Sequence, residues 1–185
     1  MLGSHNSFSY LPIKGWKKIL KPWIACQNLN IKEQYFKGIN YFDIRVRWYK
    51  GTWWICHNTA LFVSLDKVSQ ELYYLGRKQC TVRLVLDMRK EPKDAQALTY
   101  LFYTLQEYLV DKYNLRIDSR IIFWQWKEYN AHYIKQEEYH NSVISPWYKY
   151  ILGNKHFAKK YNNTYVNKEK IHDEKTVYLV DYIQL

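Results

Sequence analysis

A chain of 185 residues holds one domain with a substantial core and is short for two. With 48% hydrophobic and 24% charged residues it has an ordinary globular balance, and its positive residues are spread along the chain, which excludes a disordered basic arm. The formal net charge of +11 favours an anionic partner, whether lipid headgroup, nucleic acid or phosphorylated small molecule, and does not choose among them. Nineteen Tyr and eight Trp supply many side chains with an apolar body and a polar tip, suited to half-buried walls and wet interfaces.

Cys26, Cys56 and Cys80 have no metal-type spacing and cannot all pair with one another, which reads as buried thiols in a reducing compartment. The opening residues lack the apolar core of a secretory signal, and no run approaches the roughly 20 apolar residues that span a bilayer. The expectation is a soluble, cytoplasmic chain with no transmembrane segment, unless a signal was removed before this numbering begins.

In chain order, Met1-Leu2-Gly3 is the shortest run that can form a strand. Residues 31–38 read as a short helix stopped by Gly38. Residues 41–46 and 52–56 are β-branched and aromatic runs of strand length. Leu65, Val68, Leu72 and Leu75 are spaced for a helix, with Ser64 placed as its N-cap and Gly76 at its end. Residues 81–86 form the next strand. The span 94–113 carries Ala97, Leu98, Leu101, Leu105, Tyr108 and Leu109, the best amphipathic helix in the sequence. Strands follow at 120–124 and 176–180, with loops and one helix near 156–161 between them. Strands alternating with helices predict a mostly parallel α/β domain covering 1–185.

Polar residues gather at the ends of these strands. Alternation along 42–47 puts Asp43, Arg45 and Arg47 on one face and Phe42, Ile44 and Val46 on the other. An ordinary core strand does not present a carboxylate and two guanidiniums on one side. His5, His57, Asp87 with Arg89-Lys90-Glu91, and Asp181 each follow a strand. In parallel α/β folds that is where ligands bind. His132, His140, His156 and His172 lie in polar, loop-rich sequence and read as surface or structural. Lys155, Lys159 and Lys160 near Trp147-Tyr148 read as either a phosphate- or membrane-facing patch or a solvated helix face.

Several of these segments together resemble the catalytic X region of phosphatidylinositol-specific phospholipases C. They are Gly3-Ser4-His5-Asn6-Ser7, then Gln27 and Gln34, then Gly38 to Arg47 with Phe42-Asp43-Ile44-Arg45, then His57. Arg89-Lys90-Glu91 and Val180-Asp181-Tyr182-Ile183 resemble two further segments of the bacterial enzymes. The likeness is clear over 3–91 and returns at 177–183, and over about 92–175 it is not placed. It implies a compact TIM-type (β/α)8 barrel, with some helices shortened or missing, because a typical barrel needs about 250 residues.

The resemblance also implies a reaction. An inositol 2-hydroxyl attacks the phosphodiester and releases diacylglycerol and a cyclic inositol phosphate. By position, His5 is the general base and His57 the general acid, tasks that suit an imidazole with an ordinary pKa of about 6.5. Asp181 holds His5, Arg45 neutralises the phosphate oxygens, and Asp43 orients Arg45. Asn6, Arg89 and Glu91 are expected at the substrate, as is Lys127 from a strand over 120–127. Calcium-dependent members carry a carboxylate where this chain has Arg45, so no metal and no cofactor are expected. Phe8 and Asn58 depart from the family, which has small Gly residues there, and Asn6 stands where the bacterial members have Asp.

The expected partner is a phospholipid, with peripheral contact to an anionic membrane surface and no protein partner. Two alternatives stand beside it. The same catalysis suits another hydroxyl-bearing phosphodiester, RNA or a glycerophosphodiester. A catalytically silent barrel binding anionic lipid is the other.

Overall fold

The computed structural model describes residues 2–88, 95–123, 128–129 and 177–180. Its elements are β1 (Leu2–Ser4), a 3-10 helix (Gly15–Leu20), α1 (Lys21–Ile24), α2 (Ile31–Phe36), β2 (Tyr41–Tyr49), β3 (Thr52–His57) and β4 (Ala60–Ser64). A second 3-10 helix (Leu65–Val68) leads into α3 (Ser69–Arg77), followed by β5 (Thr81–Met88), α4 (Ala95–Tyr113), β6 (Arg116–Phe123), β7 (Glu128–Tyr129) and β8 (Tyr178–Val180). All strands belong to one eight-stranded sheet.

The chain is a mixed α/β domain. β8, β1, β2, β5 and β6 lie side by side and parallel, while β3, β4 and β7 run antiparallel to their neighbours. Among the described residues β7 pairs with β6 and β8 with β1, and no described pairing joins β7 to β8.

Register sorts the side chains. Tyr41 pairs with Thr81 and then Arg116; Asp43 pairs with Arg83 and then Asp118. Because side chains alternate, Asp43, Arg45, Arg83, Asp118 and Arg120 share one face. The other face carries Phe42, Ile44, Val46, Val82, Leu84 and Leu86, which are buried in one cluster with Leu72, Leu75, Phe102, Leu105 and Leu109 of the helices. The apolar core therefore lies between sheet and helices, and the opposite face of the sheet is left for charge.

Asn30 closes α2 with a reciprocal cap: its Oδ1 accepts from the Glu33 N–H, and Glu33 accepts from the Asn30 N–H. Gly38, at φ +87°, ends this helix in a conformation that suits glycine, as the sequence predicts. The expected cap at Ser64 is not there. Ser64 is the last residue of β4, its side chain makes no cap hydrogen bond, and the helix proper starts at Ser69 after the 3-10 turn.

Gly76 stands at the end of α3, as the sequence predicts. It lies inside the last turn, where a Cβ would fall 1.7 Å from the Tyr113 carbonyl oxygen. Its role is to let α3 and the end of α4 touch backbone to backbone, which sequence spacing could not reveal. The expected helix near 156–161 lies outside the described residues.

Candidate active site

The sheet's topology creates the site. One edge of β2 is taken by β5 along Tyr41 to Val46. The opposite edge is shared: β1 pairs in parallel with Tyr41 and Phe42, and β3 pairs antiparallel with Val46 to Tyr49. β1 and β3 therefore approach each other head-on along the same neighbour, leaving residues 43–45 between their ends. His5 is the first residue after β1 and His57 the last of β3. Their ring centroids are 5.9 Å apart, with the planes at 82°. His57 lies at the C-terminal end of its strand, as the sequence predicts, and that strand is the return arm of a hairpin.

Each histidine is followed by an Asn in the left-handed region, Asn6 at φ 46° and Asn58 at φ 50°. Asn tolerates that conformation best after Gly, so Asn58 fits a position where the family pattern has glycine. Phe8, the other departure, turns into the core, with its ring stacked on Tyr10 at 6.2 Å.

Asp43 is fully buried and its two oxygens are divided between partners. Oδ1 accepts from Arg83 Nη1 at 2.8 Å. Oδ2 accepts from Arg45 Nε at 3.1 Å and from the Asn6 N–H at 3.1 Å, and lies 3.9 Å from His5 Nε2. Burial pushes this carboxyl's pKa up, but the guanidiniums of Arg45 and Arg83, with His5 and the Asn6 amide, outweigh it and hold it well below the usual carboxylate range. Arg45 responds in kind: burial lowers its pKa, yet Asp43 foremost, with Asp87, raises it above its ordinary value.

Arg45 also donates from Nη2 to His5 Nε2 at 2.7 Å, and the Asn6 amide nitrogen lies 3.1 Å from the same atom. A guanidinium only donates, so Nε2 accepts and the neutral ring carries its proton on Nδ1. His57 is held the other way round. Its Nδ1 donates to the Ile24 carbonyl at 2.7 Å, which leaves Nε2 as the nitrogen that exchanges a proton. The buried Cys26 thiol lies 3.8 Å from His57 Nδ1 and 3.6 Å from the Asn6 amide nitrogen.

Two glutamines brace the His5 turn. Gln27 donates to the His5 carbonyl at 3.0 Å. Gln34 donates to the Ser7 and Leu29 carbonyls at 2.8 and 2.7 Å and accepts from Ser4 Oγ at 2.5 Å. Further along β2, Arg47 donates to Asp87 Oδ1 at 2.8 Å and to the Asn58 carbonyl at 2.6 Å, tying the turn after His57 to β5.

The structure thus brings together His5, Asn6, Asp43, Arg45 and His57. Arg89, Glu91, Lys127 and Asp181 lie outside the described residues, as do Lys155, Lys159 and Lys160. The described β1–β8 ladder ends with Ser4 opposite Val180, the residues that precede His5 and Asp181 in sequence. Sequence reasoning missed Arg83 and Cys26. The alternation of Val82-Arg83-Leu84, set in register with Phe42-Asp43-Ile44, was a usable signal for Arg83. Nothing in the sequence signalled Cys26, which reaches His57 only through the fold.

No family model matches the chain, and no curated protein sequence matches it. Solved structures do. The chain superposes on the phosphatidylinositol-specific phospholipase C of Listeria monocytogenes with a TM-score of 0.62 at 16% identity, covering 100% of this chain and 88% of that one. It has the fold of the bacterial phosphatidylinositol-specific phospholipases C. The F249X mutant of the Staphylococcus aureus enzyme gives a TM-score of 0.53 at 14% identity, over 96% of this chain and 70% of that one. At such identities the likeness to these phospholipases is one of fold, and the site must be argued from its own geometry.

Proposed function

We propose that this chain is a phosphodiesterase that cleaves phosphatidylinositol or a related phospholipid through a cyclic phosphate, without a metal ion. The observation that carries the reading is the facing pair His5 and His57, with the Arg45 guanidinium against one of them. His5 Nε2, an acceptor in the neutral ring, takes the proton of the attacking inositol hydroxyl. The imidazolium that results has the Asp43 carboxylate 3.9 Å away to stabilise it. The hydroxyl oxygen bonds to phosphorus, and the bond to the diacylglycerol oxygen breaks. His57, protonated and oriented by the Ile24 carbonyl, gives its proton to that departing oxygen.

Arg45 supplies the positive charge that the non-bridging phosphate oxygens need as the attack proceeds. Its guanidinium, anchored on Asp43, stands where a cation would otherwise be required, which supports the metal-free reading. In the same reading Asn6 contacts the substrate, Asp181 holds His5, Arg89, Glu91 and Lys127 contact the headgroup, and the sheet closes into a barrel.

A bilayer substrate is favoured over RNA by the segment that carries Ile24. Its 3-10 helix has no buried residue; Trp16 and Ile19 are 70% and 65% exposed, and Lys17, Lys18 and Lys21 stand among them. Exposed apolar and aromatic groups interleaved with lysines suit the headgroup layer of an anionic membrane. No helix among the described residues is long and apolar enough to cross one.

The test is release of water-soluble inositol phosphate from phosphatidylinositol vesicles in EDTA, for the native chain, His5→Ala and His57→Ala. Activity in EDTA that both substitutions abolish supports substrate and mechanism together. A folded protein that releases nothing rules out the inositol lipid, and RNA and glycerophosphodiesters become the next substrates to assay.

A further inference from the structure

Arg83 sits in the middle of β5 with its side chain fully buried, a costly place for a charge unless it is tightly paired. One of its partners is Asp43 Oδ1, at 2.8 Å. We propose that Arg83 is a positioning residue for the reaction: by occupying one oxygen of Asp43 it keeps the other for Arg45 and His5, and so holds the phosphate-binding guanidinium in place. This rests on the function proposed above.

The argument is geometric. A carboxylate with both oxygens available takes an arginine in a two-pronged pair. With Arg83 on Oδ1, Arg45 reaches only Oδ2, and only through Nε. Its Nη2 is left to meet His5 Nε2 at 2.7 Å, on the side where the substrate phosphate must lie. Remove Arg83, and Asp43 can turn to take Arg45 with both oxygens, drawing the guanidinium away from His5. The charged groups around Asp43 support this division of labour. His5 faces it from the end of β1, Arg45 from its own strand and Arg83 from β5, with Asp118 and Arg120 next in register on β6 and His57 beyond His5 at the end of β3. Asp118, opposite Arg83 in register, accepts from Arg120 Nη1 at 2.6 Å and from the Tyr41 hydroxyl at 2.9 Å.

The experiment compares the full chain with Arg83→Met, Arg83→Lys, Asp43→Asn and the double variant Asp43→Asn/Arg83→Met, each checked for folding by circular dichroism. On phosphatidylinositol vesicles, Arg83→Met should lower kcat about 100-fold with KM changed less than about 3-fold. It should also move the acid limb of the pH profile upward, because Asp43 then gains its proton more readily, and Arg83→Lys should recover most of the loss. In the Asp43→Asn background the Met substitution should cost nothing further.

Equal loss in the Lys and Met variants, or full additivity with Asp43→Asn, would overturn the proposal in favour of a packing role. Should Arg83→Met fail to fold, the Lys variant and the double variant still decide, since the double leaves no unpaired carboxylate. A separate readout is the pH titration of His5 by ring 13C and 15N NMR. Arg83→Met should add an inflection to the His5 signal as Asp43 takes up its proton at a higher pH than in the native chain, and an unchanged curve would overturn the proposal. Native protein inactive on the vesicles would sink the lipid reading alone, with the NMR comparison still judging Arg83.

Discussion

The two histidines stand 5.9 Å apart in different company. His5 belongs to an ionic cluster, with the Arg45 guanidinium on its Nε2 and the Asp43 carboxylate 3.9 Å behind. His57 is held by a backbone carbonyl and lies against a thiol. In the proposed reaction His5 is the base and His57 the acid, as the motif resemblance implies.

The largest effects should come from removing either ring. His5→Ala and His57→Ala should each lower kcat by about 10²- to 10⁴-fold on phosphatidylinositol. A substrate with a nitrophenolate leaving group separates them, since that group departs without a proton. Activity should return in His57→Ala and stay low in His5→Ala; the reverse pattern would exchange the two roles.

Next comes Arg45. Arg45→Met should lose about 10²- to 10³-fold in kcat. Arg45→Lys should fall between, because an ammonium keeps the charge but cannot bind Asp43 and the phosphate at once. A metal-dependent gain in either variant would show that a cation can take over the guanidinium's work.

Asp43 links the cluster to stability. Its pKa is lowered in the folded chain, so the unfolded chain binds more protons as the pH falls below about 4. The stabilisation is fully present above that range and is lost as the pH drops toward the folded value. Thermal melts from pH 6 downward should therefore fall less steeply for Asp43→Asn than for the native chain. Equal slopes would mean that Asp43 is not held ionised.

The smallest effect belongs to the His57 side. Cys26→Ala should cost about 2- to 5-fold on the lipid, the worth of one weak sulfur contact, and nothing on the nitrophenyl substrate. Loss on both would place Cys26 with the His5 cluster.

Much of this site could be read from the sequence because it is local. The alternation of Phe42-Asp43-Ile44-Arg45 fixes which face is charged, and Asn30 with Glu33 marks where α2 begins. What escaped depends on contacts distant in the chain. The 3-10 turn at Leu65–Val68 and the strand at Ala60–Ser64 break a helical spacing that looked continuous from Ser64. Gly76 reads as the end of a helix, and its closest constraint, the Tyr113 backbone, lies 37 residues on. Arg83 acquires a role only when register sets it against Asp43. The antiparallel sense of β3, which brings His57 to the site, also needed the hairpin around Gly51, where φ is +77°.

The head-on meeting of β1 and β3 makes the site a ruler marked in residues. Both histidines stand at the ends of ladders on one strand, so the spacing of their backbones is set by pairing and their rotamers set the rest. One residue inserted before His57 would move it about 3.3 Å along β2 and turn it to the opposite face. Two would restore the face but close or widen the gap by a full repeat. For the proposed reaction, the register of β3 on β2 is therefore the coarse adjustment of the spacing between the two histidines, and side-chain substitution the fine one.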